Sequence, residues 1–316
     1  MKSEKIGKNR SSAIIRSNPI VNMSKLFPDF KHQLLDLGDV HINTCIAGNG
    51  PPLLLLHGHP QTHAIWHRVA PSLAQTHTVV MTDLRGYGDS SKPQGLVDHS
   101  NYAKRAMAKD QVMVMKLLGY EQFDVLAHDR GARVAHRLAI DHPDCVKRMM
   151  LLDIAPTLAM YRQTNEAFAR AYWHWFFLIQ PSPMPERLIE SSPGDYIRDV
   201  MGNRSAGMAP FDPRAVAEYV RCLSRAGAAH GLCEDYRASA SIDLVHDLES
   251  LNSGLKIHHP LKVFWGLEGV IQKCFDPLRE WQQVAHQVSG AALPCGHYIP
   301  EEAPHELLKE CKTFFQ

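Results

Sequence analysis

The chain has 316 residues, of which 45% are hydrophobic and 21% charged, as in ordinary globular proteins with a sizeable core. A formal net charge of +1 excludes the broad basic surface of a nucleic-acid-binding protein, and no apolar run approaches the ~18 residues of a membrane helix. Seven cysteines without a CxxC pair indicate reduced thiols, so we expect a cytoplasmic protein.

The first part of the chain alternates between strands and helices after a polar start. Residues 1–27 are basic and lack the apolar stretch of a signal peptide, so they are predicted to form a disordered tail. The run Leu53–His57 is apolar throughout, which is typical of a parallel strand covered on both faces. Strands are predicted over 31–37, 40–47, 53–57, 78–83, 123–127 and 146–153, and helices over 66–73 and 103–118.

The alternation stops near residue 155 and resumes near residue 260. A strand over 261–266, a helix over 277–287, a strand near Ala291 and a helix over 302–315 complete the pattern. A βαβ core is therefore predicted from residues 28–156 and 253–316. The aromatic, helix-like segment 157–252 is predicted to be a cap over the strand ends, with helices over 167–179, 185–189, 213–225 and 236–248.

Asp129 lies between a predicted strand and a helix-like pattern, flanked two positions away by Ala127 and Gly131. Small residues at these positions allow a tight turn, as in the nucleophile elbow of α/β-hydrolases, where Ser usually stands at the apex. A carboxylate at this position can displace a leaving group from an sp3 carbon and form an ester. The alternative is a surface Asp that caps a helix.

Hydrolysis of such an ester requires a base, and His297 follows the last predicted strand. A loop histidine without a role is the alternative. The base needs an orienting carboxylate, for which Asp153 is preferred and Glu268 is the rival. The backbone N–H groups of His59 and Arg130 are expected to stabilise the oxyanion.

Several polar side chains are candidates for substrate binding. Arg130 and Arg133 lie one helical turn apart and suit a substrate carboxylate, unless one of them pairs with a structural acid. In the predicted cap, His174 and Trp175 offer N–H donors to a leaving anion and Tyr236 supplies a phenol, although most aromatic residues at helical spacing are core residues.

A metal site is the alternative for one group of histidines. His59, His63 and His67 recur at helical spacing, but no acidic ligand accompanies them in the sequence, and no metal is predicted.

From about Pro28 to its C-terminus, the chain resembles the fluoroacetate (haloacetate) dehalogenases of the α/β-hydrolase fold. The motifs that carry this resemblance are His57-Gly-His-Pro-Gln-Thr, Asp83-Leu-Arg-Gly-Tyr-Gly-Asp-Ser, Lys104-Arg-Ala-Met-Ala, His128-Asp-Arg-Gly-Ala-Arg, Leu152-Asp-Ile-Ala-Pro-Thr, His174-Trp-Phe-Phe-Leu-Ile-Gln-Pro, Cys233-Glu-Asp-Tyr-Arg-Ala and Gly296-His-Tyr-Ile-Pro-Glu-Glu. The resemblance implies a mostly parallel eight-stranded sheet with helices on both faces and a helical cap. It also implies a homodimer without a cofactor.

The resemblance also assigns roles to individual residues. It implies that Asp129 is the nucleophile, that Asp153 and His297 complete a triad, and that Arg130 and Arg133 bind the substrate carboxylate. The halide donors would be His174, Trp175 and Tyr236. Two positions depart from the family pattern: Ala127 stands where Gly is usual, and His59 where Phe is usual. The polar ring of His59 is expected to alter substrate size or pH response.

The expected reaction converts a short 2-haloacid into a 2-hydroxy acid, with fluoroacetate to glycolate as the first case to test. The expected partner is thus a small-molecule haloacid, with neither nucleic acid nor membrane involved. Two alternatives remain open. An epoxide hydrolase of the same fold would need cap tyrosines to protonate an alkoxide, and a non-catalytic carboxylate-binding homologue would have no need of His297.

Overall fold

An eight-stranded sheet lies at the centre of the protein, in a computed structural model that describes residues 26–204 and 206–316. Its strands are β1 (Lys31–Asp36), β2 (His41–Ala47), β3 (Pro52–Leu56), β4 (Thr78–Thr82), β5 (Phe123–His128), β6 (Val146–Leu152), β7 (Leu261–Gly266) and β8 (Val288–Leu293). Their order across the sheet is β1-β2-β4-β3-β5-β6-β7-β8. Strand β2 is antiparallel to β1 and β4, and the other neighbours pair in parallel. The predicted fold class is confirmed.

The central strands are apolar because helices cover the sheet. Every residue of β4 and β5 is buried, as expected for parallel strands with no solvent-facing side. The helices of the first half are α1 (Ala70–Leu73), α2 (Lys104–Leu117) and α3 (Arg130–Asp141), with a short 3₁₀ helix over His63–Arg68. Helix α3 follows β5 directly, so its N-terminus lies at the carboxyl edge of the sheet, where parallel folds bind ligands.

Eight helices stand between β6 and β7 in the described part of the chain. They are α4 (Thr157–Arg162), α5 (Glu166–Ala171), α6 (Trp173–Leu178), α7 (Met184–Ser191), α8 (Pro193–Gly202), α9 (Pro213–Leu223), α10 (Ala228–Ser239) and α11 (Ile242–Asn252). The helix predicted over 167–179 is interrupted at Tyr172, whose φ of −110° and ψ of 36° are not helical. The helix predicted over 236–248 spans the break between α10 and α11, where Ser241 has a ψ of −95°.

Helix α8 has no counterpart among the predicted helices. It begins at Pro193-Gly194, a pair that reads as a turn in the sequence. Proline is nevertheless well suited to the first turn of a helix, because its missing N–H would have no partner there.

Four helices follow β7 in the described part of the chain, and the first two of them pack along β7 and β8. They are α12 (Val270–Cys274), α13 (Pro277–Val284), α14 (Ile299–Glu302) and α15 (Pro304–Phe314). The predicted helix over 302–315 corresponds to α15 and the end of α14.

A disordered tail is predicted over residues 1–27, and residues 1–25 of it lie outside the described residues. Leu26 and Phe27, which the prediction included in it, are buried. The ring of Phe27 packs on Phe30 and His63, with centroid separations of 5.3 and 5.7 Å. Leu26 and Phe27 therefore belong to the core and not to a tail. Across the described part of the chain, we find no helix that is both long and apolar enough to span a membrane.

Candidate active site

Asp129 occupies a strained turn between β5 and α3. Its φ of 45° and ψ of −112° are rare for a residue with a side chain. A Cβ atom at Gly58 would lie 2.4 Å from Asp129 Cβ, and one at Gly131 would lie 2.5 Å from the carbonyl oxygens of Leu56 and His57. These two glycines are therefore required by close packing around the turn, which holds the Asp129 side chain at the end of β5.

The two carboxylate oxygens of Asp129 have different surroundings. Oδ1 accepts a hydrogen bond of 2.9 Å from the backbone N–H of His59, one of the two groups expected to stabilise the oxyanion. Oδ2 lies 4.0 Å from Nε2 of His297. The first oxygen is thus fixed by the backbone, and the second remains available for chemistry.

Asp129 is charged although it is only 3% exposed. Burial alone would raise the pKa of its carboxyl, but positive charge on nearby side chains outweighs this effect. The result is a pKa of Asp129 well below the usual range, and the groups responsible include His297, Arg133 and Arg130. A carboxylate that stays ionised is a competent nucleophile across the neutral pH range.

His297 is held by a buried carboxylate. Its Nδ1 lies 2.5 Å from Oδ2 of Asp153, and Asp153 Oδ1 accepts a hydrogen bond of 2.8 Å from the backbone N–H of Gly266. The carbonyl oxygen of His297 also contacts His128 Nε2 at 2.8 Å, which links its loop to the turn at Asp129. The rival carboxylate, Glu268, is exposed. Between the two candidates, the structure places Asp153 against the histidine.

Arg130 is fully buried and paired with an acid that the sequence prediction did not include. Its Nε and Nη2 contact the two carboxylate oxygens of Asp235 at 2.7 and 2.8 Å, and Nη2 donates to Ser239 Oγ at 2.6 Å. Lys104 Nζ contacts the same carboxylate. Arg130 Nη1 has no hydrogen-bond partner among the described residues. The structural-acid alternative therefore applies to Arg130, which keeps one nitrogen for a ligand.

Arg133 is buried without an anionic partner in the described part of the chain. Its Nη1 donates to the carbonyl of Ala155 at 3.2 Å and to Thr157 Oγ1 at 2.9 Å, and its guanidinium lies 4.8 Å from the Trp175 ring centroid. Burial and the charge of Arg130 lower the pKa of Arg133. Nε has no hydrogen-bond partner among the described residues. A buried cation of this kind would be stabilised by a bound carboxylate.

The three predicted halide donors lie on α6 and α10, and their rings are close to one another. The ring centroid of Tyr236 is 5.9 Å from that of His174 and 6.3 Å from that of Trp175. Trp175 Nε1 and the Tyr236 hydroxyl are buried, and neither has a hydrogen-bond partner among the described residues. Arg130 lies over the Tyr236 ring at 4.0 Å, which connects these donors to the arginines. Unpaired buried donors in proteins need an explanation, and a ligand that contacts both of these groups would supply one.

Comparison with known proteins shows the family of this chain. Residues 51–249 match the family model for the α/β-hydrolase fold. A fluoroacetate dehalogenase from a Burkholderia species is 43% identical over 92% of this chain and 95% of its own length. The chain belongs to the fluoroacetate dehalogenase family of α/β-hydrolases. This membership, predicted from the shared motifs, is confirmed.

Other relatives share the fold over nearly the whole chain. A soluble epoxide hydrolase from Corynebacterium sp. (strain C12) is 32% identical over 91% of this chain and 98% of its own length. The crystal structure of ALR0039 from Nostoc sp PCC 7120 superposes with a TM-score of 0.88 at 53% identity, covering 92% of this chain and 99% of that one. The protein is therefore a hydrolase by family, whose relatives include both dehalogenase and epoxide hydrolase.

The histidines considered as metal ligands have separate partners. His63 Nδ1 contacts Asp83 Oδ1 at 2.8 Å, His67 Nδ1 contacts the carbonyl of Ala64 at 3.0 Å, and His59 Nε2 contacts the Tyr196 hydroxyl at 3.2 Å. Asp83 is an acidic neighbour that the local sequence did not show, because it follows a different strand.

In the part of the chain that the structure describes, there are two clusters, each with three potential metal ligands whose atoms lie within 4.8 Å of one another. They are His32, Cys45 and His63, and Asp89, Glu218 and Cys222. Neither contains a residue of the triad or of the predicted carboxylate and halide sites.

Three residues of this dehalogenase-family site were not assigned from the sequence: Asp235, Lys104 and Tyr196. Asp235 and Lys104 lie in motifs shared with the family, so the motifs marked them without revealing that they form an ion pair. Tyr196 lies in α8, where no helix was predicted.

Proposed function

We propose that this protein is a hydrolytic dehalogenase of short 2-haloacids, with fluoroacetate as the first substrate to test. The observation that carries this proposal is an ionised, buried Asp129 among donors that lack partners in the described residues. Arg130 Nη1 and Arg133 Nε suit the carboxylate of a haloacid, and Trp175 Nε1 and the Tyr236 hydroxyl suit its halogen. A haloacid supplies both missing partners in one small molecule.

In the first step, Asp129 Oδ2 attacks the α-carbon of the haloacid. A carbon–oxygen bond forms as the carbon–halogen bond breaks, and the halide leaves with the bonding electron pair. Oδ1 keeps its hydrogen bond of 2.9 Å to His59 N–H and becomes the carbonyl oxygen of the ester. Fluoride is a poor leaving group, so donors such as Trp175 and Tyr236 must replace the hydration that stabilises it in water.

In the second step, His297 Nε2 takes a proton from water as the water oxygen adds to Asp129 Cγ. The negative charge that develops on Oδ1 is stabilised by the His59 N–H and, as predicted, by the Arg130 N–H. Asp153, 2.5 Å from Nδ1, stabilises the imidazolium that forms. Collapse of the intermediate breaks the ester bond, and His297 returns its proton to the oxygen of the 2-hydroxy acid. Asp129 is left as a carboxylic acid, and it releases its proton to solvent to regenerate the ionised nucleophile.

The experiment is to incubate purified protein with fluoro-, chloro- and bromoacetate and to measure halide release with ion-selective electrodes. Wild type should release halide continuously, and Asp129→Asn should release none above background. Circular dichroism of the variant controls for folding. Absence of halide release from every haloacid would refute the proposal.

Epoxide hydrolysis is a second candidate because the hydroxyls of Tyr172 and Tyr236 are both buried without a partner among the described residues. Such phenols could protonate the alkoxide that forms when an epoxide opens. An epoxide, however, carries no anion for Arg133. Turnover of styrene oxide by a protein that leaves all haloacids intact would favour this second function.

A further inference from the structure

The side chain of His59 lies inside the group of halide donors. It is 2% exposed, and its ring is parallel to that of His174, with an interplanar angle of 6° and a centroid separation of 5.3 Å. The edge of the same ring meets Tyr236, with centroids 5.2 Å apart and planes at 81°. Its backbone N–H binds Asp129 Oδ1. His59 therefore contacts the nucleophile through its backbone and two predicted halide donors through its ring.

A tyrosine from α8 contacts one ring nitrogen of His59. The Tyr196 hydroxyl contacts His59 Nε2 at 3.2 Å, and burial raises the pKa of Tyr196 well above its usual value. The phenol therefore keeps its proton. Among the described residues, the hydrogen-bond partner of the Tyr196 hydroxyl is His59 Nε2. When Tyr196 donates to Nε2, the hydrogen of the neutral imidazole must lie on Nδ1.

In this tautomer, the Nδ1–H group of His59 is a hydrogen-bond donor without an acceptor in the described part of the chain. It is buried and has no hydrogen-bond partner among the described residues. Burial lowers the pKa of His59 to about 3, so the ring is neutral at the pH of any ordinary assay. A buried N–H without an acceptor is unfavourable, and a bound anion would satisfy it.

We propose that the His59 side chain is a fourth halide-binding group, donating from Nδ1–H in a tautomer set by Tyr196, and that it favours fluoride over larger halides. This inference rests on the proposed function, because it extends the halide site of that reaction. Fluoride is the most strongly hydrogen-bonded halide, so it gains most from an additional donor. A phenylalanine ring in place of His59 would supply no such donor.

The experiment measures halide binding without turnover. Sodium fluoride and sodium chloride are titrated into wild type and His59→Phe, with fluoride followed by ¹⁹F NMR and chloride by competition with fluoride. Loss of a hydrogen bond to an anion should weaken fluoride binding roughly 10- to 100-fold and chloride binding much less. His258→Phe is the matched control, because His258 is an exposed histidine that also stacks on another histidine, His286.

A second variant tests the role of Tyr196 as a positioning residue. Tyr196→Phe keeps the packing of the ring and removes the proton donor. The ¹⁵N shifts of the His59 ring should show hydrogen on Nδ1 in wild type and a mixture of tautomers in Tyr196→Phe, which a purely structural role would not produce. Wild type with hydrogen on Nε2 would overturn the assigned donor.

The results separate this inference from the proposed function. Equal fluoride affinity in wild type and His59→Phe, or no fluoride binding by wild type, would overturn the role of His59 whatever the turnover. Fluoride binding that depends on His59, in a protein that releases no halide from haloacids, would support this site and reject the reaction.

Discussion

Asp235 should contribute more to stability than any exposed carboxylate, because it contacts two buried cations and is the carboxylate that pairs with Arg130. Its oxygens contact Arg130 Nε and Nη2 at 2.7 and 2.8 Å, and Lys104 Nζ contacts the same group. Asp235→Asn preserves the shape of the side chain but leaves Arg130 without its anion, whereas Lys104 keeps a second carboxylate, that of Asp243, at 3.3 Å. Removing one partner of a buried ion pair costs about 3–5 kcal/mol of unfolding free energy. With an unfolding entropy of about 2.1 cal/mol/K per residue, the Tm should fall by roughly 5–8 °C.

The assay is urea unfolding at pH 7, followed by circular dichroism and tryptophan fluorescence. Asp195→Asn is the matched control. Like Asp235, Asp195 lies in one of the helices between β6 and β7, and it pairs with an arginine, Arg198, at 2.6 Å. That pair is exposed, with 64% and 56% of its side chains accessible, so its loss should cost at most about 1 kcal/mol. Equal destabilisation by the two substitutions would refute the account of Asp235 as a buried anchor of Arg130.

Three further predictions concern the reaction and its pH dependence. His297→Asn should release one fluoride per protein molecule in a burst and then stall, because the ester can no longer be hydrolysed; rapid-quench fluoride measurement and intact mass would detect the trapped ester. Arg133→Gln should raise the KM for fluoroacetate roughly 10- to 100-fold in steady-state kinetics, because charge-assisted bonds to the substrate carboxylate are lost. Because of Glu301, the free energy of unfolding should fall as the pH rises. Burial raises the pKa of Glu301 to about 8, so the folded protein retains a proton that the unfolded chain loses above about pH 4.3. Glu301→Gln should therefore flatten the decrease in unfolding free energy between pH 5 and 8, measured by urea titration.

Each of these three predictions has an outcome that would contradict it. Linear fluoride release by His297→Asn would exclude it as the base of the second step. An unchanged KM in Arg133→Gln would mean that the substrate carboxylate binds elsewhere. An identical pH dependence in Glu301→Gln and wild type would show that Glu301 is ionised in the folded protein.

Much of the sheet and of the triad could be predicted from the sequence. The apolar run Leu53–Leu56 and the strand before Asp129 are buried on both faces, so local composition was enough to identify them. Because parallel strands share a carboxyl edge, residues that follow β5, β6 and β8 were expected to meet, and Asp129, Asp153 and His297 do meet. The choice between Asp153 and Glu268 required geometry, since both follow strands.

Contacts made by the helices between β6 and β7 could not be predicted. Arg130 and Asp235 are 105 residues apart, and only the packing of α10 against the turn at Asp129 brings them together. Tyr196 reaches His59 from a helix that opens with a turn-like Pro-Gly pair. The homodimer stays a prediction, because a subunit interface depends on surface shape that a sequence pattern does not encode.

A single turnover in water enriched in ¹⁸O tests the covalent mechanism most directly. With protein in excess over fluoroacetate, the oxygen that joins the α-carbon should come from Asp129, so the first glycolate should be unlabelled. The label should appear in the peptide that contains Asp129, as mass spectrometry would show. Labelled glycolate beside an unlabelled Asp129 would mean that water attacks the substrate directly and would contradict the ester intermediate.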